Sequence, residues 1–240
     1  GTTLVGTYTV GAGDTSSGLT VNSFSIGTVA DTAGNAMTST TLPAASSIFG
    51  SKTIVIDTTA PSVAITSSAL SNDSTPTVSG TAEAGATVTA VIAGATYSVT
   101  ATGGNWSVDT GSATPASGTL SIDANGNNSV SVTATDAVGN VSSAVTQTLV
   151  VDTTAPTVSS FTTATASGSY KADEAIVITA NTSENIQNGN TITVTLDTND
   201  TVLLTAASAG TTLVGTYTVG AGDTSSGLTV SSFSIGTVAD

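Results

Sequence analysis

Apolar and polar residues alternate with a period of two in several short segments of the chain. In segments 87–91, 129–133 and 191–196, Val, Ile, Ala or Leu alternates with Thr or Ser. Because successive side chains of a strand point to opposite faces, this period predicts half-buried β-strands. Two more uniformly apolar runs, 53–56 and 148–151, predict strands packed inside a sandwich.

Clusters of turn-forming residues separate the predicted strands. Gly, Asn and Asp are concentrated at 11–14, 102–105 and 123–127, and these residues favour tight turns. We find no segment with the 3.6-residue period of an amphipathic helix. The pattern therefore predicts an all-β protein.

Composition strengthens this prediction and excludes several function classes. The chain has no cysteine, so neither a disulfide framework nor a thiolate metal site can form. Lys52 and Lys171 are the only basic residues and the net charge is −14, which disfavours partners such as nucleic acids and anionic membranes. No run approaches the roughly 18 apolar residues of a membrane span, so we expect no membrane insertion in this segment.

Two repeats divide the chain into modules. Residues 1–31 recur as 210–240 with one change, Asn22 to Ser231, which gives an offset of 209 residues. The linker sequence Asp-Thr-Thr-Ala-Pro occurs at 57–61 and again at 152–156, 95 residues later. Units of 95 and 114 residues each suit a β-sandwich of about 100 residues.

This spacing predicts tandem immunoglobulin-like β-sandwich modules in an extended array. We expect two linkers, 57–61 and 152–156, around one complete shorter module at 62–151. The flanking parts are the back of a longer module, 1–56, and the front of the next one, 157–240. Since a partial sandwich has unpaired strand edges, we expect this chain to be a segment of a continuous fibre.

Several motifs resemble a known family. Segments 80–88, 104–107 and 133–140 together resemble the bacterial immunoglobulin-like repeats of giant type I-secreted adhesins. Segments 29–35, 168–174 and 183–184 resemble another repeat type of the same adhesins. The resemblance implies an extender between a cell anchor and a ligand-binding tip, with calcium near the module junctions stiffening the stalk. It also implies a secreted, extracellular or cell-surface location and a role in cell adhesion and biofilm formation.

Calcium has candidate ligands in this sequence. Calcium takes six to eight oxygen ligands, and Asp and Glu are the only anionic ones here. An Asp-x-x-Gly-Asn motif occurs in each module type, at 31–35 and 136–140. We expect the acids of each junction to converge on an ion. The candidates are Asp136, Glu83 and Asp152 for one arrangement, and Asp31, Asp57, Glu184 and Asp240 for its repeat.

Simpler interpretations stay open for these motifs. Asp31 and Asp136 could merely begin Asx turns, with Gly34 and Gly139 supplying positive φ. The segment 123–127 has oxygen ligands at alternate positions but lacks the Gly and Glu spacing of a calcium loop, which favours a hairpin turn. Trp106 could stack on a sugar, although a single Trp in an alternating strand more often fills a core.

Catalysis finds little support in the sequence. The chain has no His and no Cys, and the neighbouring acids Asp173 and Glu174 would point to opposite faces of a strand. We therefore expect a structural extender rather than an enzyme. The alternatives are a self-assembling extracellular filament or matrix fibre, completed by strand addition from the next subunit, and a glycan-binding module, against which the aromatic content of 4% argues.

Overall fold

The computed structural model describes residues 3–44, 49 and 52–239. Every regular element in these residues is a β-strand, so the prediction of an all-β protein is confirmed. Within the same ranges, no helix is long and apolar enough to cross a membrane. The chain divides into two compact units, Gly1–Thr153 and Thr154–Asp240, and the division falls inside the predicted linker 152–156.

In the described part of the first unit, nine strands form two sheets. They are β1 Val63–Ile65, β2 Leu70–Ser71, β3 Thr77–Ala82, β4 Thr87–Ile92, β5 Ala95–Thr100, β6 Asn105–Asp109, β7 Ser117–Gly118, β8 Asn125–Thr135 and β9 Val145–Asp152. One sheet has the order β1-β3-β6 and the other the order β2-β9-β8-β4-β5-β7. All neighbours are antiparallel except β2 and β9. The strands predicted at 87–91, 129–133 and 148–151 are confirmed.

The core of the first unit lies between its two sheets, as in a β-sandwich. Val78 on β3 and Val88 and Val132 on the larger sheet belong to one cluster of buried side chains. Trp106 on β6 is only 3% exposed, and its indole N–H donates to the carbonyl of Ala64 at 3.2 Å. The prediction that Trp106 fills the core is therefore confirmed.

The second unit is a single six-stranded sheet. Its strands are β10 Val158–Thr162, β11 Ala175–Ile186, β12 Thr191–Leu196, β13 Thr201–Thr205, β14 Gly210–Thr218 and β15 Val230–Ile235. Their order is β10-β11-β14-β13-β12-β15, so β10 and β15 are its edges. Phe161 on β10 nevertheless meets Phe233 on β15 edge-to-face, with ring centroids 5.7 Å apart. The sheet is therefore curled around its buried core.

Within 3–57, the residues that the structure describes form no extended strand, although 53–56 are predicted to form one. Ile56 makes an isolated bridge with Ser16, and most side chains in this part are exposed. Leu4 is 86% exposed, whereas Leu213, at the equivalent position of the repeat, is fully buried. The difference arises because β14 has β11 and β13 on either side, whereas no such neighbours flank residues 3–10 in the described first unit.

The two copies of the repeat provide a matched test of this explanation. A methyl group on Gly215 would lie 2.4 Å from the carbonyl oxygen of Leu203, whereas one on Gly6 would meet no atom within 4 Å. We expect Gly215→Ala to lower the free energy of unfolding of the second unit by about 1–3 kcal/mol through overpacking. Gly6→Ala should leave it unchanged. Calorimetric unfolding of both variants measures this, and equal effects would contradict it.

Candidate calcium sites and the module junction

Asp31 organises an exposed turn. Its Oδ1 accepts hydrogen bonds from the backbone N–H groups of Ala33 at 2.9 Å and Asn35 at 2.8 Å. Its Oδ2 accepts the side-chain amide of Asn35 at 2.8 Å. Gly34 has φ of 90°, a conformation that glycine adopts without steric cost. The Asp-x-x-Gly-Asn motif thus forms an Asx turn here.

Asp136 builds the same turn directly after β8. Its Oδ1 accepts the backbone N–H groups of Val138, Gly139 and Asn140 at 2.8–2.9 Å. Its Oδ2 accepts the side-chain amide of Asn140 at 2.8 Å. Gly139 has φ of 98°. Both carboxylate oxygens of Asp136 are therefore already engaged as hydrogen-bond acceptors.

These hydrogen bonds change the acidity of both carboxyls. Burial is the largest influence on the pKa of Asp136 and raises it, but the donors from Asn140 and the backbone together hold the pKa below its usual range. The pKa of Asp31 is also lowered, chiefly by the side-chain amide of Asn35. Hydrogen bonds that favour a charged carboxylate stabilise the ionised form. Both carboxylates are thus anionic at neutral pH.

The turn of Asp136 also holds the first linker. The amide of Asn140 donates to the carbonyl oxygen of Asp57 at 3.1 Å. The carboxylate of Asp57 accepts the backbone N–H of Thr59 at 2.9 Å. The turn at 136–140 of the 62–151 module is therefore hydrogen-bonded to the linker that precedes this module.

The linker is fastened on its upstream side as well. The hydroxyl of Thr58 accepts the backbone N–H of Gly13 at 3.0 Å and donates to the carbonyl of Asp14 at 3.1 Å. The first threonine of the second linker, Thr153, also makes a side-chain hydrogen bond to a turn. The hydroxyl of Thr153 donates to the carbonyl of Ala124 at 3.2 Å. In each linker, that threonine binds a turn of the preceding module.

The remaining predicted ligands are distributed over both ends of the module. Glu83 follows β3 and Asp136 follows β8, and they flank the pair Thr87–Thr135 where β4 meets the end of β8. Asp152 pairs with Asn125 at the beginning of β8, ten residues or roughly 33 Å away along the strand. The structure thus brings Glu83 and Asp136 to the end where Asp57 lies but places Asp152 at the other end.

The second unit contributes Glu184 and Asp240. Glu184 lies half-buried in β11, and its carbonyl accepts the hydroxyl of Thr182 at 2.7 Å. Asp240 lies outside the described residues. Over the ranges that the structure describes, no three Asp or Glu side chains are grouped closely enough to hold a metal ion. A calcium ion bound there would need backbone carbonyls, amide oxygens or water among its ligands.

A tyrosine–aspartate contact was missed in the sequence. The hydroxyl of Tyr217 donates to Oδ2 of Asp223, which also accepts the backbone N–H of Gly220 at 2.6 Å. Tyr8 and Asp14 make the same contact in the first copy. The sequence feature that could have indicated this contact is a tyrosine six residues before the aspartate of a Gly-Ala-Gly-Asp turn, which occurs in both copies of the repeat.

Comparisons with known proteins give little information. No family model matches the chain, and no curated protein sequence is similar to it. A solved chitinase from Bacillus thuringiensis is 17% identical, with a TM-score of 0.26. The match covers 72% of this chain and 29% of the chitinase chain. A likeness this low carries no argument about fold or activity.

The tyrosine–aspartate contact predicts a specific pH dependence. The hydroxyl of Tyr217 is the main cause that lowers the pKa of Asp223. A carboxyl with a depressed folded pKa stabilises the fold above its unfolded pKa of about 3.9 and loses that contribution as pH falls through the folded value. We expect Tyr217→Phe to lower the melting temperature of the second unit at pH 7. The further decrease in melting temperature between about pH 5 and pH 2 should be smaller in this variant than in the unmodified chain.

Thermal unfolding across this pH range measures the effect. Tyr8→Phe is the matched control, because Tyr8 is 57% exposed whereas Tyr217 is 4% exposed. It should leave the melting temperature of the second unit unchanged at every pH. An identical pH profile for Tyr217→Phe and the unmodified chain would show that this hydrogen bond contributes nothing to stability.

Proposed function

We propose that this chain is an extender segment of a large secreted bacterial surface adhesin, built from tandem immunoglobulin-like modules. The observation that carries the proposal is the first linker, which is hydrogen-bonded on both sides. Thr58 contacts the upstream turn at Gly13 and Asp14, and Asp57 contacts the downstream turn through Asn140. An extender must resist bending at its junctions, and fixed linkers supply that resistance. Its role is to support cell adhesion and biofilm formation by holding a distal tip away from the cell.

The composition of the chain suits this role. With only Lys52 and Lys171 against sixteen acids, modules of one sign repel one another and resist collapse. Trp106 is buried, so its indole is not at the surface where a sugar could stack on it. These features favour a spacer over a ligand-binding module.

Calcium binding at the junction is a further part of the proposal. Asp57, Glu83 and Asp136 lie at the same end of the 62–151 module, and an ion there would relieve their mutual repulsion. Because the oxygens of Asp136 already accept hydrogen bonds from its own turn, Glu83 and Asp57 would be the first carboxylates to bind. The ion would stabilise the junction by binding the folded state preferentially.

If calcium binds at the junction, removing it with a chelator should change the dimensions and the stability of the chain. We expect a chelator to shorten the maximum dimension of the chain in small-angle X-ray scattering and to lower its melting temperature, with calcium restoring both. Magnesium at the same ionic strength is the control, since it prefers stricter octahedral geometry. Identical scattering profiles with calcium and with chelator would remove calcium from the proposal and leave the hydrogen-bonded junction.

The hydrogen-bonded junction has its own test. Asn140→Ala removes the amide that donates to the carbonyl oxygen of Asp57. The control, Asn35→Ala, removes the equivalent amide from the turn of Asp31, where it donates to the carboxylate of Asp31. We expect Asn140→Ala to broaden the distribution of distances across residues 57–61, measured by resonance energy transfer between dyes on the two sides. Asn35→Ala should leave that distribution as in the unmodified chain. Equal distributions for both variants would contradict the proposed role of the junction.

A second candidate function is a self-assembling extracellular fibre. It is supported by the open side of the second unit, where Phe233 and Ile235 on the edge strand β15 are 45% and 68% exposed. Exposed apolar edge strands are templates for pairing with another chain. The two candidates are compatible, because an extender could also associate through such an edge.

A further inference from the structure

A groove of 630 Å³ opens along one side of the second unit. It runs between β10 and the segment that leads into β15. Its apolar walls are formed by Phe161, Ile176, Ile178, Leu196, Leu228 and Val230. All six side chains pack on or belong to the core cluster of the unit, and five of them lie on β10, β11, β12 or β15. The groove is therefore an opening into a hydrophobic core.

The first unit shows which segment pairs with one wall of such a groove. Ser16 and Ile56 exchange two backbone hydrogen bonds of 2.8 Å, and the N–H of Leu19 donates to the carbonyl of Ile54 at 2.8 Å. Residues 16–19, Ser-Ser-Gly-Leu, are identical to residues 225–228. The wall of the groove at 227–228 thus has the same sequence as the known partner of residues 54–56.

The side chains of this pair determine which residues would enter the groove. The pair Ser16–Ile56 would set Leu19 opposite Thr53, so the bond from the N–H of Leu19 to Ile54 marks a one-residue bulge at Gly18–Leu19. In a bulge two residues of one strand oppose one residue of the other, so Ile54 lies opposite Leu19. Leu228, the equivalent of Leu19, packs against the core of the second unit. Ile54 in the same register would point into the groove and Val55 away from it. In its own chain Ile54 is 39% exposed, so entering the groove would bury more of it.

We propose that residues 52–56 of a second copy of this chain fill the groove, pairing with Ser225–Leu228 as they pair with Ser16–Leu19 in their own chain. The exchange preserves the backbone hydrogen bonds and buries Ile54, and this burial must outweigh the removal of Ile56 from its own chain, where it is 7% exposed. Extending the register by two residues brings Lys52 beside Val230 and near Asp197, whose carboxylate accepts the N–H of Thr229 at 3.1 Å. One of the two basic side chains would therefore approach an acid. The proposal rests on the second candidate function and specifies its contact.

Disulfide trapping tests the register, because the chain contains no cysteine of its own. Directly bonded residues of antiparallel strands have Cα atoms about 5.5 Å apart, within disulfide range. A tagged Ile54→Cys chain mixed with an untagged Leu228→Cys chain should give a disulfide-linked heterodimer on oxidation. The matched control is Val55→Cys with Leu228→Cys, in which the first cysteine points out of the groove. We expect at least a fivefold lower yield for that mixture.

Two other outcomes would overturn the proposal. One is equal yield from the two mixtures. The other is a monomeric product from a chain carrying both Ile54→Cys and Leu228→Cys at low concentration, which would show that the segment fills the groove of its own chain.

Sedimentation velocity provides a second measurement without cysteines. The unmodified chain should associate as its concentration rises, Ile54→Asp should stay monomeric, and Val55→Asp should associate like the unmodified chain. A monomer at every concentration for all three would refute pairing between copies. The extender proposal would be unaffected, because its tests concern the stiffness of the 57–61 junction.

Discussion

A β-strand in this chain forms where a neighbouring strand pairs with its backbone and other side chains cover its apolar face. β14 lies between β11 and β13, and Leu213 is buried there. The same sequence at 3–10 has no such neighbours in the described first unit, and Leu4 is 86% exposed. Identical side chains therefore contribute to a core in one place and expose apolar surface in the other. The edge of the second unit and the groove beside it are further consequences of this dependence.

The junctions depend on a second, more local kind of interaction. Charged residues make up only 8% of the chain, so networks of ion pairs cannot hold the modules together. Asx turns and threonine hydroxyls take their place: Asn140 reaches Asp57, and Thr58 reaches Gly13 and Asp14. Hydrogen bonds with neutral partners are screened little by salt. A junction of this kind is compatible with the extender role that we propose.

The candidate site could be predicted from the sequence only in part. The Asp-x-x-Gly-Asn motif identified turns correctly, because its hydrogen bonds join residues two to four positions apart. Asp136 and Asp152 were expected to converge but lie at opposite ends of the module, because Asp136 follows β8 whereas Asp152 ends its antiparallel neighbour β9. Consecutive antiparallel strands end at opposite ends of a sheet. Glu83 reaches the end of Asp136 only through the pairing of β4 with β8.

The sequence by itself determined the period-two strands, the turns and the tyrosine–aspartate contacts. Tyr8 binds Asp14 just as Tyr217 binds Asp223, although their surroundings differ completely, because partners six residues apart meet around one turn. Only the tertiary structure decided whether the repeated segment forms strands, which acids share an end, and where the core stays open. Those outcomes depend on partners far away in the chain, and alternation of side chains specifies a face to bury but not the strand that will cover it.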